Sequence, residues 1–118
     1  MRHLKKTKKF KRTEEERKRL WTDLSSGLIK NGKIVTFTAR AKWFRPKFER
    51  MVTWVKRSGS DIQLAYRRLR PYLSEVDSRK MIEEIVPKYA ERNGGYTSQI
   101  KLSQDFSVHD KSVVVLTE

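Results

Sequence analysis

One stretch of this chain, Thr38 to Ser58 (TARAKWFRPKFERMVTWVKRS), limits most strongly what the rest can fold into. Ala41, Phe44, Phe48, Met51, Val52 and Val55 recur in it at spacings of three and four, which on a helix makes one apolar band. The band needs a core, so the stretch predicts a central helix with other elements laid against it. Arg40, Trp43, Lys47, Arg50, Trp54 and Arg57 keep the same spacing and form a second band, about 120° round the helix at ~100° per residue. That band is cationic and aromatic. It is either a solvated outer face whose two Trp residues cover the flank of the core, or a nucleic-acid surface. On such a surface Arg and Lys neutralise phosphates while rings and guanidinium planes stack on bases or sugars.

Charge distribution favours the second reading. The 118 residues include 28 Lys and Arg against 14 Asp and Glu, a formal +14. Residues 1–57 hold 19 basic against 5 acidic side chains, and residues 58–118 hold 9 against 9. The whole excess therefore lies in the first half, where self-repulsion costs stability unless a polyanion neutralises it. An anionic membrane surface is the competing partner, but it requires a free apolar face, and the Ala41–Val55 band is committed to a core. Cysteine is absent, which removes disulfides and Cys-based zinc sites or nucleophiles. With no apolar run long enough to span a membrane and no secretory signal pattern, a soluble intracellular protein is expected. The Lys-dominated start has no Ser or amphipathic repeat and reads as part of the mature protein rather than a transit peptide.

A chain of this length supports one modest core, so the expectation is a basic tail, residues 1–12, and one globular domain, residues 13–118. The tail MRHLKKTKKFKR has seven Lys or Arg and no acid. Alone it is expected to be disordered, and to act as an arm that orders between phosphates. Thr13 followed by Glu14, Glu15 and Glu16 has the form of a capping box that starts a first helix. Leu20, Trp21, Leu24 and Leu28 give that helix an apolar face, and Asn31-Gly32 stops it. KIVTF, Lys33–Phe37, reads as a strand, with Thr38 placed to cap the central helix. Pro46 predicts either a kink or a helix restarted with Pro46 near its first turn. Ser60 with Gln63 suggests a cap for a third helix, Asp61 to about Arg70, with Ile62, Ala65, Tyr66 and Leu69 inward. Its Arg67, Arg68 and Arg70 either extend the nucleic-acid surface or are ordinary exposed charge. A fourth helix, Ser78 to Val86, turns Met81, Ile82 and Ile85 inward and ends at Pro87. Tyr96–Ser103 and Val113–Leu116 read as strands joined by a loop. The fold class is α+β: about four helices packed on a small, about three-stranded sheet, with a basic extended N-terminal tail.

Candidate chemistry is sparse. His3 and His109 have no reason to converge, and a loop His beside Asp110 reads as solvated rather than as a base or metal ligand. Glu83-Glu84 is helix surface, and Gly94-Gly95 lacks the context of a nucleotide-binding loop. No catalytic residue, metal site, cofactor or small-molecule substrate is indicated. The stretch PKYAERNGGYT, Pro87–Thr97, is more informative. It gathers Lys88, Tyr89, Arg92, Asn93, Tyr96 and Thr97 around a Gly pair whose bare backbone can approach phosphate closely.

In sequence the chain resembles the bacterial-type large-subunit ribosomal protein seventeen family. The resemblance is carried by Met1-Arg2-His3, the basic tail running into Arg12-Thr13, Arg17-Lys18-x-Leu20, Thr36-x-Thr38-x-Arg40-Ala41-Lys42-x-x-Arg45-Pro46, and PKYAERNGGYT followed by Ile100-Lys101-Leu102. These occur in the family's order over nearly the whole chain. The resemblance implies a structural, non-catalytic component of the large ribosomal subunit. It implies a protein, cytoplasmic and ribosome-bound, that binds large-subunit rRNA beside neighbouring large-subunit proteins near the nascent-peptide tunnel exit. Candidate rRNA contacts are Arg2, His3, Lys5, Lys6, Lys8, Lys9, Lys11 and Arg12 in the tail, and Arg17 and Lys18 in the first helix. Arg40, Lys42, Arg45, Lys47, Arg50 and Arg57 follow in the central helix, and Arg92, Asn93, Gly94, Gly95 and Tyr96 in the turn. The tail departs from the family pattern in carrying Leu4, Thr7 and Phe10 where glycines are usual. Glu16 replaces a usual His, and Trp43 and Trp54 also depart from the pattern. The loop 104–111 carries Asp105 and Asp110, so no RNA contact is assigned to it. The alternative is a nucleoid-type DNA-binding protein with the central helix in the major groove.

Overall fold

A computed structural model describes residues 9–102 and 110–117. The order of elements is α1 (Glu14–Asn31), β1 (Lys33–Phe37), α2 (Thr38–Ser58), α3 (Ile62–Leu69), α4 (Glu75–Lys80), β2 (Thr97–Lys101) and β3 (Lys111–Leu116). The sheet runs β1-β3-β2, antiparallel throughout, with Val113 opposite both Val35 and Ile100. Four helices on a three-stranded sheet make the expected α+β fold, although β3, the last of the described strands, is the central one.

The apolar band of α2 is the core. Phe44, Phe48, Met51 and Val52 are fully buried, and Leu28, Ile29, Leu69, Met81 and Val114 close round them. Each such side chain contributes roughly 1.5–3 kcal/mol by leaving water. All six residues of the predicted band are buried.

The helix ends show where local pattern was overruled. Thr13 caps α1 as expected, its hydroxyl accepting from the Glu16 amide at 3.2 Å. Gly32, at φ 76°, stops the helix and returns its amide to the Leu28 carbonyl. Thr38 does not cap α2; the N-cap position is Phe37, whose side chain makes no capping hydrogen bond. The Thr38 hydroxyl instead shares a 2.8 Å hydrogen bond with that of Ser112, and its amide donates to the Asp110 carbonyl. The residue is thereby tied to the end of the sheet. α2 runs unbroken through Pro46, so the restarted-helix alternative is excluded.

Asp61, rather than Ser60, caps α3, its carboxylate accepting from the Leu64 amide at 3.1 Å. Ile62 is 56% exposed rather than inward; Ala65 and Leu69 supply the buried face. The fourth helix begins earlier than Ser78, with Ser74 as its cap. Asp77 and Ser78 are then drawn inside the helix, and the buried Asp77 carboxylate accepts from Ser26 on α1 at 2.9 Å. Nor does Pro87 end the winding. α4 continues through a π-helical turn, Met81–Ile85, into a 3-10 turn, Val86–Tyr89, where Pro87 stands at a first-turn position that has no amide to lose. Met81 and Ile85 are buried as expected. β2 is shorter than the predicted strand, and β3 begins two residues before Val113. The ends of those predictions at Ser103, and residues 104–109 of the loop, lie outside the described residues.

Candidate nucleic-acid interface

The second band of α2 faces outward against α1 and the α3–α4 loop, and together they gather a cluster of rings. Trp21 of α1 stacks on Tyr72 of the loop at 4.2 Å between centroids and 28° between planes. Trp54 lies 6.3 Å from Trp21 and 5.7 Å from Tyr72. Cations sit over these rings: the Lys47 Nζ is 5.0 Å from the Trp43 centroid and 5.7 Å from that of Trp21, and Lys18 Nζ is 5.5 Å from that of Tyr72. Arg40 lies 5.2 Å from the Phe37 ring. Trp43 and Trp54 are half-buried against the core, as the core-flank reading of this stripe expects. The rings seal the flank of the core and also carry the cations.

The electrostatics of this face are those of clustered cations. Partial desolvation, then Arg50, then Arg17 lower the pKa of Lys47. Three cations thus converge where α1 meets α2. Among the described residues the only ion pair joins Lys101 and Asp110, at 3.3 Å across the sheet, so none of Lys47, Arg50 and Arg17 is in an ion pair there.

The tail reaches the same face. Phe10 packs edge-on against Trp43 at 5.7 Å and 81°. Phe10 and Lys11 have φ of 52° and 53°, left-handed values that side chains other than Gly, Asn or Asp seldom adopt. The Arg12 amide closes this turn on the Lys9 carbonyl, and Arg17 donates through Nη1 to the Arg12 carbonyl. A glycine-like conformation is therefore held by a ring contact and two hydrogen bonds.

The NGGYT turn lies beyond the end of α2. Gly94 and Gly95 have φ of 119° and 64°, positive values that favour glycine. Arg92 Nε donates to the Gly94 carbonyl at 3.2 Å, and the Thr117 hydroxyl to that of Gly95 at 2.8 Å. Tyr96 is buried, with its amide on Glu49 and its hydroxyl on the Arg92 carbonyl. Lys56 of α2 donates to the same carbonyl and to the Tyr96 hydroxyl. The Tyr89 hydroxyl donates to the Thr117 carbonyl at 2.6 Å, and burial raises its pKa against the opposing pull of Arg92. A shallow hollow lined by Thr53, Arg57, Asn93 and Gly94 opens between the turn and α2.

The structure thus separates the sequence candidates. Lys18, Lys47, Arg50 and Arg17 come together on one face, Arg40 lies over Phe37 at the start of α2, Lys42 is exposed, and Arg57, Asn93 and Gly94 share the hollow. Arg45 turns away: its Nε and Nη2 donate to Thr97 at 3.1 and 2.9 Å, tying α2 to β2. Tyr96 is likewise committed to the interior. Lys9, Lys11 and Arg12 belong to the tail turn, whereas Arg2, His3, Lys5, Lys6 and Lys8 lie outside the described residues. Sequence reasoning missed Tyr72, which follows Pro71 in no periodic pattern. It also placed Trp21 only in the core, although the Trp spacing of α2 already suggested an aromatic surface.

The profile of the family described as Ribosomal protein L17 matches residues 20–117. The chain is 38% identical to the large ribosomal subunit protein bL17 of Persephonella marina over 119 aligned positions, 98% of this chain and 93% of that protein. It is 40% identical to the Sulfurihydrogenibium protein of the same description over 103 positions, 86% of this chain and 83% of that one. With the Rhodopseudomonas palustris TIE-1 protein, also so described, identity is 34% across the whole of this chain and 82% of that protein.

Proposed function

The chain belongs to the ribosomal protein L17 family, and on that premise we propose that it is a structural constituent of the large ribosomal subunit that grips large-subunit rRNA. The observation that carries the rRNA reading is the α1–α2 face, where Lys47 lies between two Trp rings beside Arg17 and Arg50, none of the three in an ion pair among the described residues. Phosphates supply the missing negative charge, and the half-buried rings offer edges and faces to unpaired bases or ribose. Duplex DNA suits this surface poorly. A recognition helix must project to enter the major groove, whereas α2 is flanked by Trp21 and Tyr72 and buried along its other band.

Residues 1–12 are the arm of this grip, with Phe10 anchored on Trp43, and the hollow at Asn93-Gly94 is a second point of backbone contact. The position near the nascent-peptide tunnel exit, beside other large-subunit proteins, rests on the family resemblance of PKYAERNGGYT and the motifs before it. The role is structural, in the cytoplasm and on the ribosome, without a catalytic step or cofactor. Sucrose-gradient fractionation of source-cell lysate at low and high salt, blotted for this chain, tests the assignment. Co-migration with the large subunit that resists moderate salt is expected; sedimentation at the top of the gradient, or release from a nucleoid fraction by DNase, would overturn it.

A further inference from the structure

Between α3 and α4 the surface opens into a cleft of about 720 Å³ that the function above leaves unused. Its walls carry three guanidiniums, Arg67 and Arg70 from α3 and its C-terminal end and Arg79 from α4, against one carboxylate, Glu75. All three arginines are exposed, and none forms an ion pair or side-chain hydrogen bond among the described residues. Arg67 and Arg70 stand three apart, on neighbouring positions of one helix face, while Arg68 lies outside the cleft. Sequence left these arginines undecided between binding surface and solvated charge; the fold distinguishes them.

The chemistry of the cleft is that of a phosphate site. A planar guanidinium pairs with phosphate through two parallel hydrogen bonds, and three of them facing one opening favour a polyanion over a single carboxylate. The cleft is wide and polar, unlike the enclosed, apolar-walled pockets that take small molecules. It also adjoins the aromatic face: the α3–α4 loop places Arg70 and Leu73 in the cleft and Tyr72 in the ring cluster with Trp21 and Trp54. We infer that the α3–α4 cleft is a second RNA phosphate-binding site, so that the domain holds backbone on both sides of one loop; this inference rests on the rRNA reading above.

The test measures binding of the full chain to purified large-subunit rRNA across a salt series. The variant Arg67→Gln/Arg70→Gln/Arg79→Gln is set beside Arg68→Gln, and beside Lys47→Gln/Arg50→Gln on the aromatic face. The cleft variant should flatten the slope of log affinity against log salt by about 2 units, at 0.7–0.9 per phosphate contact, and Arg68→Gln should leave it unchanged. A triple Lys variant keeps the charge and loses the bidentate pairing, so it should retain the slope but bind more weakly; it also serves if the Gln variant fails to fold. An unchanged slope in the Gln variant, with loss in Lys47→Gln/Arg50→Gln, overturns the cleft and leaves the function standing. No salt-dependent rRNA binding by the wild type overturns both. Tighter arginine-dependent binding of a polyglutamate peptide than of rRNA assigns the cleft to an acidic protein and overturns it as an RNA site.

Discussion

The Lys47 ammonium is held partly out of water between two indoles and beside Arg17 and Arg50, and its pKa falls below the ordinary lysine value of 10.5. Between the folded value and 10.5 the unfolded chain therefore binds more protons than the folded one, so this group's contribution makes stability rise with pH across that window. Below it, the folded state carries the cost of a crowded cation. Lys47→Met keeps the unbranched stem against the rings and removes the charge. It is expected to raise the melting temperature at neutral pH, to narrow that advantage as pH approaches 10.5, and to weaken rRNA binding. Thermal melts across pH check the first two outcomes, and a wild type as stable as the variant at neutral pH would refute the argument. Phe10 shows the same compromise in backbone terms, because its left-handed φ costs on the order of 1–3 kcal/mol and is retained by the contact with Trp43.

Among the elements, α2 carries both the core and the candidate interface, yet it contains Pro46, which has no amide to give the Lys42 carbonyl. Pro46→Ala is expected to stabilise the domain by about 1–3 kcal/mol in denaturant titration, since an interior proline costs roughly 3 kcal/mol and native packing has already absorbed part of that. Destabilisation would mean that the packing at Arg45 and Thr97 requires the geometry proline imposes. Both stripes of α2 were legible because helical period alone assigns them to faces. The cap at Thr13 was legible because its acceptor and donor are three residues apart in one local pattern. Thr38 and Ser60 were misread because a hydroxyl's partner is settled by what the fold brings near, Ser112 in the first case and a competing Asp61 in the second. The ring cluster was hidden for a related reason. Tyr72 meets Trp21 only once α1 and the α3–α4 loop have packed together.

For the molecule as a whole, charge segregation gives salt two opposite effects. Added salt screens the repulsion among the first 57 residues, with a screening length of about 10 Å at 0.1 M, so the free protein should melt higher as ionic strength rises. The same salt weakens rRNA binding through lost counterion release. Deleting residues 1–12 removes seven of the basic side chains; it should diminish the first effect and flatten the binding slope by several units, at about 0.9 per phosphate on duplex. A slope that survives the deletion would exclude the arm from the contact. Paired calorimetry and filter binding over one salt range read both effects. The strand order β1-β3-β2 has a separate consequence, one of timing. During vectorial synthesis β1 and β2 emerge before the strand that joins them, and each waits with an open edge. The sheet closes only when Lys111–Leu116 arrives, over a long chain separation from β1, the slow kind of contact. A polypeptide released early keeps the two edges unpaired, in a form prone to aggregation and open to proteolysis. Arrival of β3 thus acts as the checkpoint for closure of the sheet.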